Sequence, residues 1–146
     1  VLFVSAFELG ILMTRQALLE RAVDLTIREI QINTARPPNY IDVRNMICAR
    51  ASLIPDCNAR TKVEMIQIDP RVAKTITPQP DCIDTGAPFK PVREFRNGSE
   101  NQMMLIRVCS LFDPIFPTTG LGFQLPRESG NLYALISTSA FVMEPL

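Results

Sequence analysis

The residues of this chain that could do chemistry are its 15 acidic side chains and its four cysteines, since histidine is absent. Without an imidazole the chain lacks the usual general base near neutral pH and the commonest metal ligand. The candidate acid pairs are Asp81 with Asp84, Glu64 with Asp69, and Glu94 with Glu100. These pairs fall in polar loops or on predicted strand surfaces, where solvated charge is the ordinary interpretation.

Sequence motifs for enzymatic chemistry are missing as well. The chain has no Gly-x-Ser-x-Gly motif, no phosphate-binding loop and no dinucleotide fingerprint, and Gly120-Leu121-Gly122 stands alone rather than between a strand and a helix. We therefore predict no catalytic residue, no cofactor and no metal site, and a protein that is not an enzyme.

The cysteines are Cys48, Cys57, Cys82 and Cys109. They form no Cys-x-x-Cys pair, which disfavours zinc in a chain without histidine. Two of them follow Pro-Asp in polar stretches, where a free thiol would be exposed, so disulfides are preferred over four reduced, buried thiols. Three connectivities are possible, and we favour Cys48–Cys57 with Cys82–Cys109. Disulfides imply a periplasmic or extracellular domain.

The charge balance bears on the class of partner. Lys+Arg and Asp+Glu both number 15, so the formal net charge is zero. Nucleic-acid binding needs a basic excess or a basic patch to neutralise phosphates, and we therefore predict no nucleic-acid partner.

The elements that position these residues begin with an apolar segment. Residues 1–13 are apolar except for Glu8. A bilayer span needs about 20 residues, so the segment is either the end of a longer spanning helix or a buried core helix. From Leu12 to Ile32 apolar residues recur along one helical stripe, and Glu20, Asp24 and Arg28 lie opposite. We predict one helix from Val1 to about Ile32, as in a helix that leaves lipid and lies against a soluble domain.

The rest of the chain reads as a short helix followed by strands. Pro37 and Pro38 end the long helix, and Asn39 can cap a second helix that Pro55 closes. Strands are predicted over 62–69, 102–112 and 133–143, with an edge strand around 92–95 and loops elsewhere. Consecutive strands pair antiparallel, so the predicted class is α+β, a long N-terminal helix on a small antiparallel β-sheet braced by disulfides. Residues 14–146 would form a single domain.

Short motifs along most of the chain resemble one bacterial family. They are Phe7-Glu8-Leu9-Gly10 closing the apolar helix, Thr14-Arg15-Gln16-Ala17-Leu18, Ile47-Cys48-Ala49-Arg50, Pro55-Asp56-Cys57, and the stretches 112–117 and 139–145. Together they resemble the alphaproteobacterial TadE-like pseudopilins of tight-adherence pilus systems. The earlier part of the family's apolar segment, with its peptidase site and first glutamate, is not present in this sequence.

The resemblance implies a pilin-like fold and a non-enzymatic minor pseudopilin or assembly subunit. It implies anchoring or polymerisation through the N-terminal helix, homo- or hetero-oligomers with other pilin or pseudopilin subunits, and attachment to the inner membrane. The domain would lie in the periplasm or at the cell surface, serving cell adhesion through a filament.

The candidate assembly residues are Glu8, Gly10 and Arg15. An ionised carboxylate among apolar neighbours is costly unless it is paired or close to water. Two interpretations stay open: Glu8 pairs with a cation of a neighbouring subunit and sets the register of packed helices, or it faces headgroups or water, with Arg15 about two turns away. Gly10 would allow close approach of a second helix.

Two other functions remain open. One is a soluble periplasmic binding module for a ligand or a protein, whose loops at 70–95 and 113–130 form the binding surface. The other is a disulfide-stapled hydrolase that carries none of the usual motifs.

Overall fold

A long amphipathic helix forms the spine of the protein in the computed structural model, which describes residues 1–72, 76–87 and 89–145. The helix α1 (Leu2–Ile32) has 31 residues and is therefore about 46 Å long. It ends where the Asn33 N–H donates to the Ile30 carbonyl, ahead of Pro37 and Pro38. The predicted helix over Val1 to about Ile32 is confirmed.

Two short helices follow α1. The helix α2 (Tyr40–Arg50) begins at Asn39, whose side chain accepts from the Asp42 N–H at 2.9 Å, while the Asp42 carboxylate accepts from the Asn39 N–H at 3.3 Å. This reciprocal capping box confirms the predicted cap. The helix ends at Arg50, before the predicted stop at Pro55, and the Ala51 N–H caps it by donating to the Ile47 carbonyl. A further short helix, α3 (Cys57–Arg60), leads into the first strand.

Three antiparallel strands form one sheet in the order β1-β2-β3. They are β1 (Thr61–Ile68), β2 (Met103–Phe112) and β3 (Tyr133–Val142), each within about a residue of its prediction. The predicted edge strand at 92–95 is reduced to a single parallel bridge between Phe95 and Met65, where the Met65 N–H donates to the Glu94 carbonyl at 3.1 Å. The Arg93 N–H donates to the Asp81 carboxylate at 2.7 Å and so is not available to a strand ladder.

The main core lies between the helices and one face of the sheet. Side chains of α1 and α2 pack against alternate residues of the three strands. The helices contribute Leu19, Val23, Ile27, Ile30, Val43 and Ile47, and the strands contribute Val63, Met65, Ile106, Val108, Leu135 and Phe141. The alternation along β3 follows the predicted period of two. The predicted α+β class, with an N-terminal helix packed on an antiparallel sheet and two disulfides, is therefore confirmed.

The other face of β1 and β2 is covered too, so the expectation of a half-buried first strand is wrong. Glu64 and Lys62 are each only 2% exposed. The Glu64 carboxylate accepts from the Asp81 N–H at 2.6 Å and from Arg107 Nη2 at 3.1 Å, and Lys62 Nζ lies 3.3 Å from the Asp81 carboxylate. Glu64 is thus a buried, paired acid and not a solvated one, because the chain around Asp81 folds back over the sheet.

One outer edge of the sheet runs beside α1. Gln16 Nε2 donates to the Ile136 carbonyl at 3.0 Å, and Gln31 Nε2 donates to the Val142 carbonyl at 3.0 Å. Ile136 is the fourth residue of β3 and Val142 is its last, so the helix is attached to this edge at two separate points.

Candidate functional site

The first turns of α1 form an exposed apolar surface at one end of the molecule. Together with two side chains of the segment that follows β2, these residues are called the apolar pole: Leu2, Phe3, Phe7, Leu9, Met13, Ile115 and Phe123. All are more than 40% exposed, and Phe3 reaches 82%. A soluble monomer rarely exposes so many large apolar side chains next to one another, so the pole is the candidate interaction site.

Glu8 lies beneath the apolar pole and not on it. The residue is fully buried, and its two carboxylate oxygens accept from the backbone N–H groups of Ile115 at 3.1 Å and Phe116 at 2.9 Å. The interpretation in which Glu8 faces water or headgroups is therefore wrong. A carboxylate covered in this way is also not presented to a cation of a neighbouring subunit, so its role in this structure is within the chain.

Arg15 holds the same segment two turns further along α1. Its Nη1 donates to the Asp113 carbonyl at 3.2 Å, and its guanidinium carbon lies 4.6 Å from the centre of the Phe112 ring. Glu8 and Arg15 are not bonded to each other; each binds a neighbouring part of the chain from Phe112 to Phe116.

Gly10 lies on the outside of the helix. A side chain added there would meet nothing within 4 Å, so no contact within the chain requires glycine. The flat surface at Gly10 is free for a second helix to approach, and the predicted role in helix packing stays a prediction.

A further contact that the sequence did not predict joins α1 to a short helix, α4 (Gly120–Gln124), in what was predicted to be loop. Ser5 Oγ accepts from the Leu121 N–H at 3.2 Å. Gly120 has φ of +60°, and a Cβ there would lie 2.5 Å from Ser5 Oγ. Glycine is therefore required for both the backbone conformation and the close approach, and the isolated Gly-Leu-Gly was the available signal.

The contacts of Ser5 and Glu8 fall inside the segment predicted to be the end of a membrane or bundle helix. Phe7 adds to them, since its ring packs edge-on against that of Phe116 with centroids 6.0 Å apart. The domain thus begins to hold α1 at Ser5, and not only after residue 13.

Tyr133 is buried near the contacts that Glu8 and Arg15 make with the chain after β2. Its ring packs on Phe112 with centroids 3.8 Å apart, and within the described ranges its hydroxyl has no hydrogen-bond partner. Burial raises the pKa of Tyr133 to about 12; the Arg15 charge acts against this rise, and the Glu8 charge adds to it.

The four cysteines form the two predicted disulfides. Cys48–Cys57 ties α2 to α3, and Cys82–Cys109 pins the segment near Asp81 to β2. The favoured connectivity is confirmed. Among residues 1–72, 76–87 and 89–145 no group of three or more acidic or cysteine side chains is arranged to hold a metal ion.

The length and hydropathy of α1 are compatible with a membrane anchor or a signal sequence. It is the one helix in the described part of the chain that is long and apolar enough to cross a membrane. Core helices of soluble proteins share this length and composition but are mostly buried, whereas only 11% of the most apolar 18-residue stretch of α1 is buried.

Comparison with known proteins adds no relative: no family model, no curated protein and no solved structure matches this chain.

Proposed function

We propose that the protein is a non-enzymatic, membrane-tethered subunit of a pilus-like assembly of the tight-adherence type, with its disulfide-braced domain outside the cytoplasm. The N-terminal helix is the tether, and the apolar pole is the surface that meets lipid or the helices of other pilin-like subunits. The motif resemblance around Glu8-Leu9-Gly10 supplies the kind of assembly.

The observation that carries the proposal is the apolar pole itself. Phe3, Phe7 and Met13 stay exposed on a helix whose second half buries one face in the core of the domain. Burying them would gain on the order of 1.5–3 kcal/mol per side chain, a driving force for insertion into lipid or for packing between subunits. Two disulfides in the domain fit an oxidising compartment on the other side of the membrane.

The soluble binding module is less well supported. Its binding surface was expected in the loops at 70–95 and 113–130. The chain near Asp81 is turned onto the sheet through Glu64 and the Cys82–Cys109 disulfide, and the segment from Asp113 to Gln124 is turned onto α1. The described parts of both loops therefore cover other parts of the fold, and residues 73–75 and 88 of the first loop lie outside the described residues.

The proposal is tested by a charged variant of the pole in the bacterial host, Phe3→Asp with Phe7→Asp. The matched control is Ile41→Asp with Val72→Asp, two apolar residues that are more than half exposed but lie outside the pole. We expect the wild type and the control in the membrane and in sheared filament fractions, and the pole variant in neither.

Expression is compared by immunoblot, and folding is checked by non-reducing electrophoresis for both disulfides. A wild-type protein that stays in the soluble periplasmic fraction and never co-purifies with filaments would contradict the proposal. Equal loss of the control and the pole variant would also contradict it, because the effect would then not belong to the pole.

A further inference from the structure

The segment Pro114–Gln124 is a candidate for a second contact with the membrane, beside the helix. It has no charged residue, and the first turns of α1 carry none except the buried Glu8. The two uncharged segments lie side by side, held by the Glu8 and Ser5 hydrogen bonds. Phe123, 67% exposed, projects from the short helix on the same end of the molecule as Phe3.

The backbone hydrogen bonds of this segment suit an environment poor in water. Pro114 and Pro117 have no N–H group, and the two residues between them both donate to Glu8. Leu121 donates to Ser5. In lipid every unsatisfied backbone group costs several kcal/mol, and irregular chain is tolerated there only where protein groups satisfy it. Glu8 and Ser5 supply acceptors for three of the segment's N–H groups, those of Ile115, Phe116 and Leu121.

The shape of the pole favours lipid over a single protein partner. Phe7 and Leu9 lie nearly opposite each other around α1, and each is 48% exposed. One flat partner surface would cover only one of these two sides, whereas acyl chains can cover both of them, and the side between them that carries Glu8 is covered by Ile115 and Phe116. A groove of about 390 Å³ between α1 and α4, lined by Ala6, Leu9 and Leu121, is open to the same surroundings.

The charges near this segment fit a membrane boundary. Arg15 is the first charged residue after the first turns of α1 apart from Glu8, and Asp113 and Arg127 are the nearest charged residues on either side of Pro114–Gln124. Arg127 Nη2 donates to the Gly122 carbonyl at 2.7 Å. We infer that Pro114–Gln124 is a second membrane-contacting element, which inserts Phe123 at the headgroup–acyl boundary of the bilayer while Glu8 and Ser5 satisfy its backbone. This inference rests on the proposed tether, and it adds a fixed orientation of the domain on the membrane.

Tryptophan fluorescence tests the inference, because the chain contains no Trp. Three single variants are reconstituted in phosphatidylethanolamine–phosphatidylglycerol vesicles with or without brominated acyl chains: Phe123→Trp, Phe3→Trp on α1, and Ile41→Trp as an exposed control on α2, outside the pole. We expect blue-shifted emission and bromine quenching at 123 and 3, and neither at 41.

The outcomes separate this inference from the proposed function. Quenching at 3 but not at 123 overturns the second contact and leaves the tether standing. Quenching at neither position overturns both. A blue shift at 123 without quenching, together with crosslinked dimers, identifies a second copy of the chain as the occupant and also overturns the inference. Circular dichroism checks each fold, and Gln124→Trp replaces Phe123→Trp if that variant does not fold.

Discussion

Glu8 compensates for its burial in an apolar helix by accepting two backbone hydrogen bonds from the chain after β2. Hydrogen bonds to a charged acceptor contribute more than neutral ones, and an orphaned buried N–H costs about 1–3 kcal/mol. The carboxylate therefore joins α1 to Ile115 and Phe116. It places Ile115, a residue of the apolar pole, next to the first turns of α1.

Replacing Glu8 tests this link. We expect Glu8→Ala to lower the free energy of unfolding by about 2–4 kcal/mol, because two N–H groups lose their acceptor, and Glu8→Gln to lower it by about half as much. Urea unfolding in mild detergent measures the change. The control is Asp24→Asn, an exposed acid on the same helix, for which we expect a change within about 0.5 kcal/mol.

Equal stability of Glu8→Ala and the control would show that the two hydrogen bonds add nothing measurable. Loss of filament assembly by Glu8→Gln, with membrane attachment and stability unchanged, would instead return Glu8 to the role in subunit register that the sequence suggested.

Tyr133 makes the stability sensitive to alkaline pH. Its pKa is about 12 in the folded chain against about 10 in the unfolded chain. Between these values the unfolded state binds fewer protons, so the free energy of unfolding falls as pH rises, by roughly 2–3 kcal/mol in total. Below pH 10 this contribution is intact.

Tyr133→Phe removes the titration and also a buried hydroxyl without a partner among the described residues. We expect its stability at pH 8 to equal or exceed that of the wild type, and its loss between pH 10 and 12 to be smaller. Thermal unfolding without thiols over this pH range measures both. Parallel curves for the two proteins would rule out Tyr133 as the source.

At the scale of elements, the two disulfides restrain loops of different length. Cys48–Cys57 spans 9 residues and Cys82–Cys109 spans 27. In the chain-entropy model the two contribute roughly 2.5 and 3.5 kcal/mol. The longer one also keeps the segment around Asp81 against Glu64 on the outer face of the sheet.

We therefore expect Cys82→Ala with Cys109→Ala to cost more stability than Cys48→Ala with Cys57→Ala. Loss of the Cys82–Cys109 bridge releases the segment around Asp81 from β2. That segment covers the buried Glu64 carboxylate, so its release costs more than the entropy of a longer free loop. Denaturant midpoints of the two double variants give the comparison, and the reverse order would contradict it.

The elements that the sequence predicted well are those with a strong local period. The helix Leu2–Ile32 and the three strands follow from the spacing of apolar residues and from residues that begin or end helices, such as Asn39 and Pro37. Burial of Glu64 and Glu8 could not be predicted, because each depends on a partner far along the chain, Arg107 or Ile115. The short helix at Gly120 has no period to read.

At the scale of the whole molecule, the two ends of α1 are packed unequally. Leu19, Ile27 and Ile30 are buried in the core, whereas residues before Ser5 have little to pack against. We expect amide hydrogens of residues 2–7 to exchange much faster in buffer or dilute detergent than those of residues 19–30, since local opening is easiest where few buried contacts are lost.

Transfer into lipid vesicles should slow exchange at residues 2–14 and leave residues 19–30 unchanged. Hydrogen-exchange mass spectrometry on peptic fragments, with the disulfides reduced after quenching, measures both regions. Equal protection of the two halves in buffer, or no gain at the first residues in vesicles, would contradict this division of the helix.

The two glutamines that reach from α1 to β3 have a consequence for crowded surroundings. An unguarded strand edge is a template on which neighbouring chains can anneal into mixed sheets, a hazard that grows as copies accumulate on a membrane. The Gln16 and Gln31 side chains donate to the carbonyls of Ile136 and Val142, two of the acceptors on that edge. The helix whose apolar N-terminal end we propose to bind lipid or other subunits therefore also limits edge-to-edge pairing between the sheets of neighbouring copies.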